Sequence, residues 1–442
     1  MILSWLLKKS NIKTRMGRKP VVVLNSYAAI KEAFVRQGDV FAGRPPMFIT
    51  DDMAGMLGLA ASEGPLWKEQ RHFAMGVLKD FGMGKTDMEP RIQDEITIFL
   101  AEIEKENGVA FDMWDIIGKA VANIICLLVF GERVTYDNED IQLYLEYLNK
   151  NVEHIGASSV LNYFPFLKYI PGDPFKFKEA LENDEPLTEF LERTIAEHKK
   201  THSPVNIKDF LDAFLKEMAT QEKINPGKHG FTDDQLLEVI SDLFAAGTDT
   251  MINTLRWGIL YLAINQDIQA KIHQELDDNI GTEAMISMAD KPKVPYTDAC
   301  IMEIQRFANI IPFALPHSTT EDVKFRQYML PKGTMIFPNI WAALADSKLW
   351  KNPNEFDPRN FLDDKGKVNK PAHFIPFSLG KRMCLGESLA RTELFLFFTS
   401  MLQRFHFRLP PDLPLPSLQG KIGLTICALP YKVLAINRTA VL

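Results

Sequence analysis

The sequence predicts a mainly helical protein with small peripheral β-sheets, and three observations support this fold class. Long stretches carry apolar residues at helical spacing, and the longest of them runs from Thr232 to about Ile264. Short strand-and-turn patterns are confined to one segment near the N-terminus and to the chain after Val323. Strands and helices do not alternate, which excludes a doubly wound dinucleotide-binding fold.

The first half of the chain predicts one short buried strand followed by helices. Residues 17–25 have the pattern of a turn and a strand. Residues 158–172 break the helical pattern with aromatic residues and two prolines. Pro186 is expected to interrupt the next segment, so that a helix restarts near Leu187. Helices are expected over residues 65–79, 89–104, 114–130, 139–154, 187–200 and 207–218.

The segment that starts at Thr232 predicts the central element of the fold. Thr232 and Gln235 match a capping box, in which each side chain would bond the backbone of the other residue. A helix of this length is roughly 50 Å long at 1.5 Å per residue, so it should cross the whole domain. Further helices are expected over residues 267–280, 297–309 and 387–405, a loop over 349–361, and strands within 423–433.

Composition excludes several classes of protein. Hydrophobic residues make up 46% and charged residues 24% of the 442 residues, as in an ordinary globular protein. The net charge of −7 argues against a nucleic-acid partner. The four cysteines are scattered and form no CxxC pair, which argues against a disulfide framework or a zinc ribbon.

The N-terminal residues predict no membrane anchor. Residues 1–7 are apolar and are followed by Lys8 and Lys9. Seven residues are too few to span a bilayer, which needs about 20. A signal peptide would have its charges before the apolar run rather than after it.

The strongest local signal is the segment Phe377-Ser-Leu-Gly-Lys-Arg-Met-Cys-Leu-Gly386. Its cysteine, Cys384, lies between two glycines and directly before a predicted helix. Backbone N–H groups and the positive end of the helix dipole would stabilise a thiolate there, and a thiolate can bind iron. A buried free cysteine in a tight turn explains the same residues, so this segment alone leaves both interpretations open.

These ten residues resemble the haem-binding loop of cytochromes P450, Phe-x-x-Gly-x-Arg-x-Cys-x-Gly. Phe377, Gly380, Arg382, Cys384 and Gly386 occupy the five specified positions. The resemblance implies the cytochrome P450 fold, with the long central helix over a haem whose axial ligand is Cys384.

The segment Ala246-Gly-Thr-Asp-Thr250, in the middle of the long helix, is similar to the oxygen-binding motif of the same family. The resemblance implies that Ala246 and Gly247 open a groove for dioxygen, and that Thr250 and Asp249 help deliver protons. The alternative is a packing notch, with a threonine bonded to the preceding helical turn.

Glu303-Ile-Gln-Arg306 places an acid and a base one helical turn apart. Such a pair is common by chance and is often a weak surface ion pair. Here Phe356-Asp-Pro-Arg359-Asn-Phe361 follows at the distance that the family predicts. The resemblance implies a structural network of Glu303, Arg306 and Arg359.

Trp67 and Arg71 lie one turn apart on a predicted helix and could both bind a carboxylate. The family resemblance makes that carboxylate a haem propionate, and it assigns Arg382 and His317 to the same role. A core tryptophan beside a solvated arginine is the alternative.

The chain as a whole is similar to the microsomal family 2 group of animals. The resemblance implies one catalytic domain over residues 17–442, with residues 1–16 in place of the usual membrane helix. It implies a haem-dependent monooxygenase that inserts one oxygen atom from O2 into a lipophilic substrate such as a fatty acid, steroid or foreign compound. Electrons would come from NADPH through a flavoprotein reductase, at the cytosolic face of the endoplasmic reticulum membrane. A haem-binding protein without turnover and a haem-thiolate isomerase are the alternatives.

Three surfaces follow from this resemblance. Lys68 and Lys381 would form a basic docking patch for the reductase. The aromatic segment 163–171 would dip into a bilayer, although its side chains could instead fold onto the core. The substrate pocket would be lined by residues 48–59, 243–246 and 311–315, together with residues near Leu424.

Overall fold

A computed structural model describes residues 12–17, 19–82, 88–203 and 205–438. It confirms the mainly helical class with small sheets. The α-helices of these residues are α1 (Tyr27–Lys31), α2 (Gly64–Asp80), α3 (Glu89–Lys105), α4 (Trp114–Val129), α5 (Glu139–Ser158), α6 (Phe177–Thr201), α7 (Phe210–Ile224), α8 (Asp233–Ile264), α9 (Gln266–Asn279), α10 (Pro295–Ala308), α11 (Ile340–Leu344) and α12 (Glu387–Arg404).

Helix α8 is the central element, as its length predicts. Every residue from Met251 to Ala263 is buried in the core. Helix α8 packs against α4, α6, α10 and α12. Burial of this kind is the main favourable contribution to folding. The helix therefore forms the middle of the core.

Only half of the predicted capping box forms at the start of α8. The Thr232 hydroxyl accepts a hydrogen bond from the Gln235 backbone N–H at 3.1 Å. The Gln235 side chain does not return to Thr232. It exchanges two hydrogen bonds of 3.3 Å with the backbone of Gly58 instead. The capping residue is thus correct, but its partner anchors a distant loop.

The predicted break at Pro186 is wrong. Helix α6 runs without interruption from Phe177 to Thr201, with Pro186 inside it. Proline in a helix removes one backbone hydrogen bond and costs about 3 kcal/mol. Burial of Ala180, Leu187, Leu191 and Ile195 along one face of α6 offsets that cost.

The strands form one four-stranded and three two-stranded sheets within the described residues. The strands are β1 (Ile12–Met16), β2 (Lys19–Leu24), β3 (His317–Ser318), β4 (Val323–Phe325), β5 (Tyr328–Leu330), β6 (Met335–Pro338), β7 (Phe405–Arg408), β8 (Lys421–Ile422), β9 (Ile426–Cys427) and β10 (Leu434–Asn437). The larger sheet has the order β1-β2-β6-β3, with β2 parallel to β6 and the other pairs antiparallel.

The two ends of the chain differ in part from their predictions. Residues 1–11 lie outside the described residues, and residues 12–16 of the same segment form the edge strand β1. Of the strands near the predicted range 423–433, only β9 lies inside it, whereas β8 precedes it and β10 follows it. Strand β8 pairs with β9, and β10 pairs with β7. No helix in the described ranges is both long enough and apolar enough to cross a membrane.

Candidate active site

The Cys384 loop is built by a short 3-10 turn, Gly380–Arg382, that leads into the N-terminus of α12. The Cys384 backbone N–H donates to the Phe377 carbonyl at 3.0 Å and closes the loop. Gly380 has a φ of +78°, and a Cβ atom there would overlap the carbonyl group of Phe34. Glycine is required at this position for both reasons. The Phe377 ring faces Arg391 of α12, whose guanidinium carbon is 4.9 Å from the ring centre.

Cys384 lies in a recess that is open to solvent, but protein atoms surround its thiol closely enough to desolvate it. This desolvation raises the pKa of the Cys384 thiol. Backbone N–H groups of Gly386 and Glu387, and the charge of Arg71, act in the opposite direction. The first turn of α12 therefore directs donors at the sulfur, but desolvation outweighs them and the pKa of the thiol is raised overall.

Three arginines surround the approach to this loop. Arg382 donates to the carbonyls of Ala42 and Ser62 at 2.9 and 2.7 Å. Arg71, on α2, donates to the Met383 carbonyl at 2.6 Å.

The third arginine, Arg44, donates to the carbonyls of Ala60 and Pro316 at 2.7 and 2.9 Å. Burial, together with neighbouring guanidinium charges, lowers the pKa of Arg44 to about 10 and that of Arg382 to about 8. Within the described residues, none of the three arginines forms a salt bridge with a carboxylate. The hydrogen bonds that hold these positive charges in place go to backbone carbonyls.

Trp67 lies against this cluster, with the Arg382 guanidinium carbon 3.8 Å from its ring centre. Its side chain is 4% exposed, yet the indole N–H has no hydrogen-bond partner. Leaving a buried donor unpaired costs about 1–3 kcal/mol. The structure thus brings Trp67, Arg71 and Arg382 together around a place where an acceptor is missing.

His317, on β3, is buried and stacks on Phe34 with ring centres 4.0 Å apart. Its Nδ1 donates to the Phe41 carbonyl at 2.7 Å. Burial lowers the pKa of His317 well below its usual value, and the charges of Arg44 and Arg382 act in the same direction. His317 therefore belongs to the same cluster as these two arginines, as a neutral imidazole.

In the middle of α8, both an open groove and a packing notch, the two interpretations of the segment 246–250, are present. Ala246 is exposed although the helix around it is largely buried, so α8 borders an open space at this point. Gly247 faces α4, where a Cβ atom would lie 2.5 Å from the Cδ1 atom of Ile125. Gly247 is thus a packing notch, and the groove expected from both residues is opened at Ala246.

Thr250 and Asp249 point to different surroundings. The Thr250 hydroxyl donates to the Ala246 carbonyl at 2.7 Å, on the side of the open space. The Asp249 carboxylate is buried and accepts hydrogen bonds from Thr425 at 2.8 Å and Asn253 at 2.9 Å. Burial raises the pKa of Asp249 to about 6. No hydrogen bond of the described structure joins the two side chains.

Glu303 and Arg306 form a buried bidentate ion pair with two N···O distances of 2.6 Å. Arg306 also donates to the carbonyls of Leu344, Pro353 and Glu355 at 2.9–3.0 Å. The pair therefore connects α10 to α11 and to the loop that follows it.

The third member of this network is Asn360, and the prediction of Arg359 is wrong. Asn360 donates to Glu303 at 3.2 Å. Arg359 is the preceding residue of the same 3-10 turn and points outward, with 77% of its side chain exposed, where it pairs with Asp357. Its link to Glu303 is indirect, because the Asp357 backbone N–H donates to Glu303 at 2.8 Å.

Two residues of the site were not predicted. Arg44 lies in the segment Phe-Ala-Gly-Arg-Pro, residues 41–45. This segment is typical of the microsomal group, but the resemblance assigns no role to its arginine. Asp242, one turn before Ala246, accepts hydrogen bonds from the backbone N–H groups of Leu59 and Ala60 at 2.6 and 2.9 Å. Nothing in the sequence pairs Asp242 with a loop that lies so far away along the chain.

These residues fit a haem. The unpaired Trp67 N–H and the three arginines without carboxylate partners supply donors for the two propionates. The Cys384 sulfur supplies a ligand that suits iron. Asp242 and Arg44 connect the wall at Ala246 to the arginine cluster, because both bond the segment that contains Ala60.

Comparison with known proteins decides the family. A family model described as "Cytochrome P450" matches residues 9–435. The chain belongs to the cytochrome P450 family. It is a haem-thiolate monooxygenase, and proteins of this family bind haem through a cysteine thiolate, use O2 and act on lipophilic substrates with electrons from a redox partner.

Individual relatives cover almost the whole chain of this cytochrome P450. It is 40% identical to human "Cytochrome P450 2U1" over 426 residues, which are 96% of this chain and 78% of that protein. It is 40% identical to rat "Cytochrome P450 2C23" over 429 residues, or 96% of this chain and 85% of that protein. Rabbit "Cytochrome P450 2C5" is 42% identical over 393 residues, or 88% and 79% of the two chains.

Gly380→Ala should abolish incorporation of haem into this cytochrome P450. The new Cβ atom would force the loop away from Phe34, at a φ that L-residues rarely adopt. The measurement is the ratio of haem absorbance to protein after purification. Gly76→Ala, on α2 with no atom near its Cβ position, is the matched control and should keep full haem content. Wild-type haem content in Gly380→Ala would contradict the role of this glycine.

Asp249→Asn should make stability less dependent on pH. A carboxyl whose pKa is about 6 in the folded chain and about 3.9 when unfolded binds its proton more tightly when folded, so stability falls as pH rises from about 4 to about 6. Two pKa units correspond to about 3 kcal/mol. The asparagine variant lacks this loss.

Melting temperatures at pH 4 to 7, taken at one scan rate, provide the measurement. The exposed acid Asp115, changed to Asn, is the control and should follow the wild-type curve. Parallel curves for Asp249→Asn and the wild type would show that burial does not shift this carboxyl.

Proposed function

We propose that Cys384 is the axial ligand of the haem and that the arginine cluster and Trp67 hold its propionates. The observation that carries this proposal is the convergence on one recess of a thiol at a helix N-terminus and, within the described part of the chain, an indole N–H without an acceptor and three arginines without a salt-bridge partner. Trp67, Arg71, Arg382, Arg44 and His317 would donate to the propionates. Phe377 would support the loop, and Gly247 would let α8 approach α4.

Haem supplies the redox chemistry, which is the activation of dioxygen and the transfer of one oxygen atom to a C–H bond. The protein contributes the surroundings. Ala246 leaves room beside α8, and the Thr250 hydroxyl holds a proton at the edge of that room. Asp249 accepts hydrogen bonds from Thr425 and Asn253, so it would act on Thr250 only through intervening water.

The substrate is proposed to be a lipophilic molecule such as a fatty acid, a steroid or a foreign compound. The predicted pocket segments support this class because their side chains are mostly apolar. Leu243 is half-buried beside Ala246, and Leu424 is partly exposed where its backbone N–H bonds the Val152 carbonyl. Phe48 is buried against Phe177, with ring centres 5.0 Å apart.

The direct test is the absorption spectrum of the reduced protein with carbon monoxide. The wild type should show the Soret band of a thiolate-ligated haem, and Cys384→Ser should lose it. Cys427→Ala, which removes a partly buried cysteine of strand β9, is the matched control and should retain the band. A thiolate band in Cys384→Ser would refute the assignment of the ligand.

Turnover separates the monooxygenase from its alternatives. NADPH consumption with a reductase and a lipophilic substrate should accompany incorporation of labelled oxygen from O2 into the product. A haem-binding protein without turnover would give the band but no product. An isomerase would convert a hydroperoxide without NADPH.

The reductase is proposed to dock at Lys68 and Lys381, which lie on either side of Asp39. The Lys68 ammonium is 4.0 Å from the Asp39 carboxylate, and Lys381 forms a hydrogen-bonded ion pair with it. All three side chains are roughly half exposed or more. Hydrogen bonding to Lys381 lowers the pKa of Asp39. Two positive charges against one leave the patch basic, which suits an acidic partner.

Lys68→Glu combined with Lys381→Glu should lower turnover with reductase at low salt by roughly tenfold or more, because two rim charges are reversed. Turnover driven by peroxide should not change, since it needs no partner. The control is Lys105→Glu, an exposed lysine on α3. Equal loss with both oxidants would contradict a docking role.

Association with the endoplasmic reticulum membrane, at its cytosolic face, is proposed through the segment between α5 and α6. Phe166 and Tyr169, in the 3-10 turn Pro165–Tyr169, are 66% and 78% exposed. Phe164 and Ile170 are exposed beside them. The Lys168 ammonium lies 5.7 Å from the Tyr169 ring centre, a pairing that suits an interface between headgroups and water.

Phe164→Ser combined with Phe166→Ser should lower the partition coefficient of the protein onto liposomes by about a hundredfold or more, because each ring removed from the lipid costs about 1.5–3 kcal/mol of burial. Co-sedimentation provides the measurement. Leu415→Ser with Leu418→Ser changes two exposed leucines elsewhere and is the matched control. Unchanged sedimentation of the phenylalanine variant would remove the proposal.

A further inference from the structure

Away from the haem recess, two histidines and two aspartates meet where α6 ends and α7 begins. His198 lies in the last turn of α6, and His202 is the residue that caps its C-terminus. Asp209 caps the N-terminus of α7, and Asp212 lies in its first turn. Spacings of four and three residues place each pair on one side of its helix end. The established monooxygenase chemistry uses none of these four residues.

Two distances within this group match those between the ligands of a tetrahedral metal ion. His198 Nε2 lies 3.2 Å from an Asp212 oxygen and 3.4 Å from an Asp209 oxygen. The three ligand atoms all lie within 4.8 Å of one another. A tetrahedral zinc ion with ligand bonds of about 2.0–2.1 Å holds its ligand atoms about 3.3 Å apart. His202 Nδ1 lies outside this group of three but 2.6 Å from the same Asp212 oxygen, and it would supply the fourth ligand after its ring moves away from that oxygen.

The second oxygen of each carboxylate is already held by the backbone. The Asp212 N–H donates to Asp209 Oδ1 at 2.9 Å, and the Lys208 N–H donates to Asp212 Oδ2 at 3.0 Å. These bonds fix both carboxylates and turn Asp209 Oδ2 and Asp212 Oδ1 toward His198. Hydrogen bonds of this kind are what orients carboxylate ligands in metal sites.

The charges of the group also favour a cation. The Asp209 and Asp212 side chains are 1% and 4% exposed, and in the described structure their salt bridges are with histidines alone. Two buried carboxylates are costly unless positive charge balances them. The histidine side chains are 16% and 17% exposed, so an ion can enter from solvent.

We propose that His198, His202, Asp209 and Asp212 form a binding site for a divalent transition-metal ion, for which zinc is the best fit. Two imidazoles and two carboxylates are ligands that zinc accepts in tetrahedral geometry. The ion would join the C-terminus of α6 to the N-terminus of α7. Because α6 packs against α8, the ion would restrain a helix that lies over the core of the molecule.

The test measures zinc on the full chain loaded with haem. The protein is treated with a chelator, dialysed against zinc chloride at rising free concentrations, and analysed for zinc and iron by mass spectrometry. The wild type should saturate at one zinc per haem iron. His198→Ala and Asp212→Asn should bind zinc at least about tenfold more weakly, since loss of even a supporting residue costs about 10–100-fold.

His229→Ala is the matched control, because His229 bonds a single carboxylate, that of Glu222, at 2.8 Å. It should bind zinc as the wild type does. If His198→Ala does not fold, His198→Gln keeps a hydrogen-bond donor and serves in its place. Zinc should also raise the melting temperature of the wild type and the control, but not that of the site variants.

Absence of saturable zinc in the wild type would overturn the proposal. Equal zinc in all variants would show an adventitious ion only and would overturn it as well. Neither outcome bears on haem ligation, since the carbon monoxide spectrum reports on Cys384 separately.

Discussion

Three guanidinium groups, those of Arg44, Arg71 and Arg382, are held without a carboxylate in the described structure, and the architecture of the site depends on this constraint. Burying a charge is costly unless it is paired and hydrogen-bonded. Backbone carbonyls of the segment 42–62 and of residues 316 and 383 satisfy part of the requirement. Helix α2, the Cys384 loop and the segment 42–62 thus meet at a cluster of positive charge, which the two propionates of the proposed haem would balance.

Much of the fold could be predicted because helical periodicity is a local property of the sequence. The extents of α2, α3, α4 and α12 follow within a few residues from the spacing of their apolar side chains. Pro186 shows the limit of local reasoning. Whether a proline ends a helix depends on how much apolar surface lies beyond it, and that surface is known only from the neighbours α5 and α8.

The candidate site shows the same division between local and distant information. The cysteine loop is contiguous, so its motif could be recognised directly. The partner of Glu303 could not, because a displacement of one position in a 3-10 turn exchanges Asn360 for Arg359. The bonds from Gln235 and Asp242 to residues 58–60 join parts of the chain more than 170 residues apart, and no pattern in the sequence marks them.

Those last bonds have a mechanical consequence. The Asp242 carboxylate accepts hydrogen bonds from the backbone N–H groups of Leu59 and Ala60, and the carbonyl of the same Ala60 accepts one from the guanidinium of Arg44. A chain of hydrogen bonds therefore connects α8, four residues before Ala246, to the guanidinium of Arg44. A substrate large enough to displace α8 there would also displace Arg44, because both are bonded to Ala60.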